Sequence, residues 1–220
     1  VGLGDEGGFA PEIDDPEEVL RLLVQAIGDA GYQTGPGGVS IALDLAASEF
    51  RQPDGRYRVA GELLSSGDMI ERLAAIVADF PVHLIEDGLG EDDDDGWTAL
   101  TARLGGTVEL VGDDNFCTNP AIITKAIERG IANAALIKLN QIGTVTETLE
   151  AMAICRKAGY RQFVSHRSGE TEDSFIADLT VGTGSGHLKS GAPARGERVA
   201  KYNRLIEIAA SSPEIPYGMP

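Results

Sequence analysis

The 220-residue chain predicts an alternating α/β fold built on a parallel sheet. Short β-branched, apolar runs alternate with longer stretches whose apolar residues recur at helical spacing. Six successive strand candidates each finish, at the C-terminal side, in a side chain capable of chemistry: Asp44, Glu86, Asp113, Lys138, His166 and Lys189. One polar strand end means little, because strands commonly run out into polar loops. Three carboxylates, two lysines and a histidine in series fit a (β/α)8 TIM-like barrel, in which the active site gathers at the C-terminal ends of the strands. About six βα units are too few to close such a barrel, so the expectation is an incomplete barrel, with residues 1–220 as a single domain.

The elements follow in order. Asp15-Pro16-Glu17-Glu18 offers an N-cap, a proline at the first helical position and a glutamate three residues after the cap. Val19, Leu20, Leu23, Val24 and Ile27 then keep helical spacing until Gly28 and Gly31 interrupt it. Residues 39–43 read as a strand ending at Asp44. Met69, Ile70, Leu73, Ile76 and Val77 mark a helix, and the strand 82–85 ends at Glu86. The acidic run 91–95 reads as a solvated loop. Residues 108–111 lead to Gly112-Asp113, and Asn119-Pro120 opens a helix closed by Gly130. Residues 134–137 lead to Lys138, and Thr144 with Glu147 forms a capping box for the next helix. Phe163-Val164 runs to Ser165-His166, and His187-Leu188 to Lys189.

A net charge of −17 argues against nucleic acid or an anionic membrane as a general partner. It also means that an anionic small molecule needs local cations or bound metal. Cys117 and Cys155 lie far apart without metal-ligand spacing, which suits a reduced, cytoplasmic protein. No apolar run approaches the length of a membrane span.

Asp44, Glu86 and Asp113 would converge as hard oxygen ligands, a set that suits Mg²⁺ with retained water and substrate oxygens. Asp113 or Asp114 can equally cap a helix. Lys138 emerges from an apolar strand, a setting in which an amine serves as a general base. Arg167 offers a planar fork for phosphate, with His166 and Ser168 beside it, although the same residues would make an ordinary polar loop before a capped helix. Lys189 adds fixed positive charge. The loop Gly4-Asp5-Glu6-Gly7-Gly8 holds two carboxylates on a flexible backbone, readable as a general acid or as a tight turn.

Longer strings are more specific. Gly-Asp-Glu-Gly-Gly-Phe-Ala-Pro (4–11), Leu-Asp-Leu-Ala-Ala-Ser-Glu-Phe (43–50), Ile-Glu-Asp-Gly-Leu (85–89) and Val-Gly-Asp-Asp (111–114) resemble the enolases. So do Ile-Lys-Leu-Asn-Gln-Ile-Gly (137–143), Ser-His-Arg-Ser-Gly-Glu-Thr-Glu-Asp (165–173), Lys-Ser-Gly-Ala-Pro-Ala-Arg (189–195) and Ala-Lys-Tyr-Asn (200–203). They stand in family order over nearly the whole chain. The resemblance implies the C-terminal barrel portion of an enolase, without the N-terminal domain and the first barrel strands. It implies dehydration of 2-phosphoglycerate to phosphoenolpyruvate, with Asp44, Glu86 and Asp113 holding Mg²⁺ and two ions present during turnover. By the same resemblance Lys138 removes the carbon-2 proton, a lysine-and-Mg²⁺ pairing that is the stock example for this superfamily. Lys189 and the metal stabilise the enediolate, and Glu6 aids loss of the carbon-3 hydroxyl. Arg167 and Ser168 bind phosphate with His166 nearby. It further implies a homo-oligomeric full-length protein. The pattern departs at Asp94, Asn115, Cys117, Ser190, Gly196 and Glu207, the last replacing an arginine that commonly pairs across the dimer. Two alternatives follow: a paralogue acting on a phosphonate or related phospho-hydroxy acid, and a non-catalytic fragment that binds metal or a partner.

Overall fold

A computed structural model of the chain describes residues 2–216. The elements in chain order are β1 (Gly2–Leu3), β2 (Phe9–Ala10), α1 (Pro16–Asp29), β3 (Ile41–Asp44), a 3-10 turn (Ala47–Phe50), β4 (Tyr57–Val59), β5 (Glu62–Leu64), α2 (Ser66–Asp79) and β6 (Val82–Glu86). They continue with α3 (Asp94–Leu104), β7 (Glu109–Gly112), α4 (Pro120–Arg129), β8 (Ala134–Ile137), α5 (Leu139–Ile142) and α6 (Val145–Ala158). The last are β9 (Arg161–Ser165), α7 (Phe175–Thr183), β10 (Gly186–Lys189) and α8 (Gly196–Ser211). Six strands are hydrogen-bonded in the order β10-β9-β8-β7-β6-β3. The β3–β6, β6–β7, β7–β8 and β9–β10 ladders are parallel, as strand–helix alternation requires. Among the described residues no helix is long and apolar enough to cross a membrane.

The chain divides into two compact units, one comprising 13–116 and 121–135, the other 1–12, 117–120 and 136–220. In the first, Leu84 and Ile85 of β6, Leu110 and Val111 of β7, Met69 and Leu73 of α2, and Trp97 and Leu100 of α3 are all buried. Each such side chain removed from water contributes about 1.5–3 kcal/mol. Trp97 also satisfies its one polar group, Nε1 donating to Gly90 O at 3.1 Å. Register sets the level of the strand ends. Asp44 pairs with Glu86 across β3–β6, and Glu86 with Val111 across β6–β7, so Asp113 stands two residues beyond that level.

In the second unit Leu136 and Ile137 of β8, Phe163 and Val164 of β9, and Ala151, Met152 and Cys155 of α6 are buried. β9 and β10 pair Phe163 with His187, whose rings stack at 3.9 Å, and Ser165 with Lys189.

The helix starts refine the expectations. Asp15 caps α1 through Glu17 N, with Pro16 in the first turn. At α6 only half of the expected capping box forms. Thr144 Oγ1 accepts from Glu147 N at 3.1 Å, but the Glu147 carboxylate takes the Thr144 hydroxyl rather than a backbone N–H. The complete box lies at α2, between Ser65 and Asp68. The acidic run 91–95 is not merely a solvated loop. Asp93 caps α3 through Gly96 N at 3.1 Å and accepts from Tyr57 Oη at 2.7 Å and from the Ser66 hydroxyl.

Candidate functional site

In the unit containing β3, β6 and β7, the strand ends carry the carboxylates. Glu86 is 3% exposed and Asp113 7% exposed, burial that a carboxylate tolerates only with compensating hydrogen bonds or positive charge. Asp44 lies level with Glu86 on the neighbouring strand and accepts from Ala46 N at 3.2 Å. Asp87, which lies within the Ile-Glu-Asp-Gly-Leu string but was not among the candidate site residues, is the organising residue. It takes a left-handed backbone conformation (φ 44°), and its carboxyl accepts from Asp113 N at 2.9 Å and Asp114 N at 3.2 Å. Carboxyl oxygens of Asp87, Asp113 and Asp114 lie within 4.8 Å of one another. Burial, against the pull of those two N–H groups, raises the Asp87 carboxyl to about 7, with the Asp114 and Asp113 charges adding to the rise. Buried hard-oxygen donors crowded in this way suit a divalent cation of the Mg²⁺ class, whose charge offsets their mutual repulsion. The signal for Asp87 was its place directly after Glu86, but an Asp there reads equally as loop.

In the other unit the cations and the acid–base groups gather. Lys138 follows the wholly buried β8, and its backbone N–H donates to Thr118 Oγ1 at 2.8 Å. Thr118 is fully buried and reached through two consecutive residues with positive φ, Cys117 (46°) and Thr118 itself (54°). Such a conformation costs about 1–3 kcal/mol per residue and persists only where the surroundings hold it. Here it seats the hydroxyl at the end of β8. Arg167 Nη1 donates to Asn140 Oδ1 at 3.1 Å, which ties the loop after β9 to α5. Ser168 stands exposed in that loop, and Lys189 ends β10 level with Ser165.

Glu6 and His166 are brought together, Glu6 Oε2 lying 3.3 Å from Nε2 of an imidazole that is 2% exposed. The glycine-rich loop holding Glu6 is closed by Gly4 N to Gly8 O at 2.8 Å and tied to the loop after β10 by Ala192 N to Glu6 O at 3.0 Å. Two glycines make that approach possible. A Cβ on Gly191 would stand 2.4 Å from Glu6 O, and one on Gly7 2.5 Å from Ala194 O. The sequence reading also missed Arg198 and Lys201 of α8, which are 0% and 1% exposed. Both bond the loop after β9: Arg198 to Arg167 O at 2.6 Å and Ser168 O at 2.8 Å, Lys201 to Glu170 Oε2 at 2.8 Å and to Thr171 O. A detectable signal existed, since residues 198, 201, 202 and 205 share the i, i+3, i+4, i+7 spacing of an inward helix face.

Comparison with known proteins adds an independent line. Residues 1–214 match the family described as enolase, C-terminal TIM barrel domain. The chain is 55% identical to an enolase of Acidothermus cellulolyticus over 208 residues, 94% of this chain and 48% of that protein. It is 55% identical to an enolase of Rubrobacter xylanophilus over 212 residues, 96% and 49% of the two chains. Against an enolase of Mycobacterium leprae it is 54% identical over 208 residues, 94% and 48%. The chain thus spans about half the length of the curated relatives it matches.

Proposed function

The chain belongs to the enolase C-terminal TIM barrel domain family, and from that premise we propose that it supplies the catalytic residues for Mg²⁺-dependent dehydration of 2-phosphoglycerate to phosphoenolpyruvate. The observation that carries the reading is the run of chemistry-bearing ends on parallel strands, with Glu6 held against His166 and Lys138 set at the tip of a buried strand.

Each side chain then has a part that its surroundings support. Lys138 takes the carbon-2 proton as general base, its position fixed by four buried β8 residues and by the Thr118 hydroxyl. Lys189 sets positive charge beside the substrate carboxylate, where negative charge grows as that proton leaves. Arg167 and Ser168 bind the phosphate, with the guanidinium aimed by Asn140. Glu6 donates a proton to the carbon-3 hydroxyl, which departs as water while the electrons of the broken C–H bond form the carbon–carbon double bond. Asp44, Glu86 and Asp113 would hold Mg²⁺, with two ions present during turnover, and the metal would supply positive charge for the substrate carboxylate. The same reading places the protein in the cytoplasm and in a homo-oligomer. Glu207, which stands where the family commonly has a dimer-spanning arginine, is engaged by Arg204 of its own chain at 3.1 Å.

The test is phosphoenolpyruvate formation, followed by its conjugated absorbance, in protein carrying these residues with Mg²⁺ and 2-phosphoglycerate. Turnover is expected to fall by at least about a thousandfold in Lys138→Ala and to be lost without Mg²⁺ or in Asp113→Asn. Full activity in Lys138→Ala overturns the reading. Metal binding without turnover, or turnover of a phosphonate analogue alone, selects one of the alternatives.

A further inference from the structure

Arg198 is fully buried, and its guanidinium reaches two separate segments of the second unit, the N-terminal loop and the loop after β9. Nη1 donates to Arg167 O at 2.6 Å and to Nδ1 of His166. Nη2 donates to Ser168 O at 2.8 Å and to Asp5 O at 3.3 Å. A guanidinium is a donor only and remains charged throughout the accessible pH range. Nδ1 of His166 therefore has to present a lone pair. In a neutral imidazole whose Nδ1 accepts, the proton sits on Nε2, and Nε2 is the atom that faces Glu6 Oε2 at 3.3 Å.

We propose that Arg198 sets the tautomer of His166 and thereby aims the Glu6 carboxyl, acting as a positioning residue for the acid of the dehydration. The Nε2–H engages one Glu6 oxygen. The acid's proton is then carried on the other oxygen, which fixes the direction in which it is delivered. The Glu6 backbone is held independently by Ala192 N and by the close approach of Gly191, so the imidazole governs the side chain rather than the loop. The role assigned to Glu6 rests on the function proposed above, whereas the tautomer does not.

The charged groups around the imidazole agree with this arrangement. Burial is the largest influence and disfavours the cation. Glu6 on the N-terminal loop and Glu170 after β9 favour it, Arg198 on α8 and Lys189 on β10 disfavour it, and the outcome lies below the ordinary histidine value. A protonated ring would also turn an N–H toward the guanidinium donor.

The chain has three histidines, so its imidazole nitrogens form a small, assignable set. Two-bond proton–nitrogen correlation spectra of the ¹⁵N-labelled chain, assigned with His83→Gln and His187→Gln, read each tautomer directly. At pH 7 His166 is expected as the neutral Nε2–H form, and it should protonate at lower pH than an ordinary histidine. Arg198→Met, similar in length but without a donor, is expected to give a mixture of tautomers and a ring that protonates at higher pH. Arg198→Lys, which keeps a donor and the charge, is expected to restore the Nε2–H form at least in part and serves if the Met variant fails to fold. A wild-type His166 in the Nδ1–H or cationic form at pH 7 overturns the proposal. So does an unchanged tautomer in folded Arg198→Met. The readout needs no turnover, so an inactive chain with the expected tautomer sinks the proposed function and leaves this inference standing.

Discussion

Lys201 shows how α8 accommodates charge at the scale of one residue. Its buried ammonium has three protons and meets three acceptors, Glu170 Oε2 and Glu197 O at 2.8 Å and Thr171 O. Burial alone would raise the Glu170 carboxyl. The Lys201 hydrogen bond, Thr171 N–H, the Lys201 charge and Arg167 N–H outweigh it and hold the group below its ordinary value of 4.5. Because the folded-state value lies below the unfolded one, the stabilisation is complete above about pH 4.5 and is lost as the pH falls through the lower folded value. Glu170→Gln should therefore cost about 1–3 kcal/mol at pH 7, and its deficit against wild type in thermal unfolding should narrow below about pH 4.5. A deficit that widens on acidification contradicts this. The helical spacing of 198, 201, 202 and 205 was visible in the sequence, but residue type masked it, since cations at 198 and 201 read as solvent-facing. Asp87 was hidden in the same way, because its role depends on backbone N–H groups 26 and 27 residues away.

Elements were more legible where the hydrophobic pattern was long enough to be unambiguous. β6, β7 and β8 fall within a residue of the apolar runs that announce them, because burial on both faces forces a continuous apolar strand, whereas α2 extends two or three residues beyond its run at each end. The β4–β5 hairpin was missed because three-residue strands carry no readable alternation, and its link places Ala60 and Gly61 both at positive φ. The acidic run 91–95 was misread because composition does not distinguish a loop from a cap. Only the packing of Tyr57 and Ser66 on Asp93 does so. Asp93→Ala removes the α3 cap and leaves the Tyr57 hydroxyl without that acceptor. It should cost about 2 kcal/mol in urea-unfolding midpoint analysis, while Asp93→Asn, which keeps a capping oxygen, should cost less than half as much. Equal losses in the two variants contradict the capping account.

On the scale of the whole molecule, the chain is strongly acidic, yet the proposed substrate is an anion. One compact unit carries Asp44, Glu86 and Asp113 at or just beyond the ends of β3, β6 and β7, with Asp87, Asp113 and Asp114 clustered within 4.8 Å, and the other carries Lys138, Arg167 and Lys189 at or just beyond the ends of its strands. The order of those ends was readable from sequence, because each is announced by the apolar run before it. The second tier of residues behind them was not, because it is assembled from segments far apart in the chain. The central claim is that Lys138 removes the proton from carbon 2. Its most direct test is exchange of that hydrogen for deuterium when 2-phosphoglycerate is incubated with the protein and Mg²⁺ in deuterated buffer, read by proton NMR of the recovered substrate. Exchange is expected with the wild-type protein and with Glu6→Gln, which impairs only the later loss of the hydroxyl, and is expected to vanish in Lys138→Ala. Exchange that persists in Lys138→Ala contradicts the account.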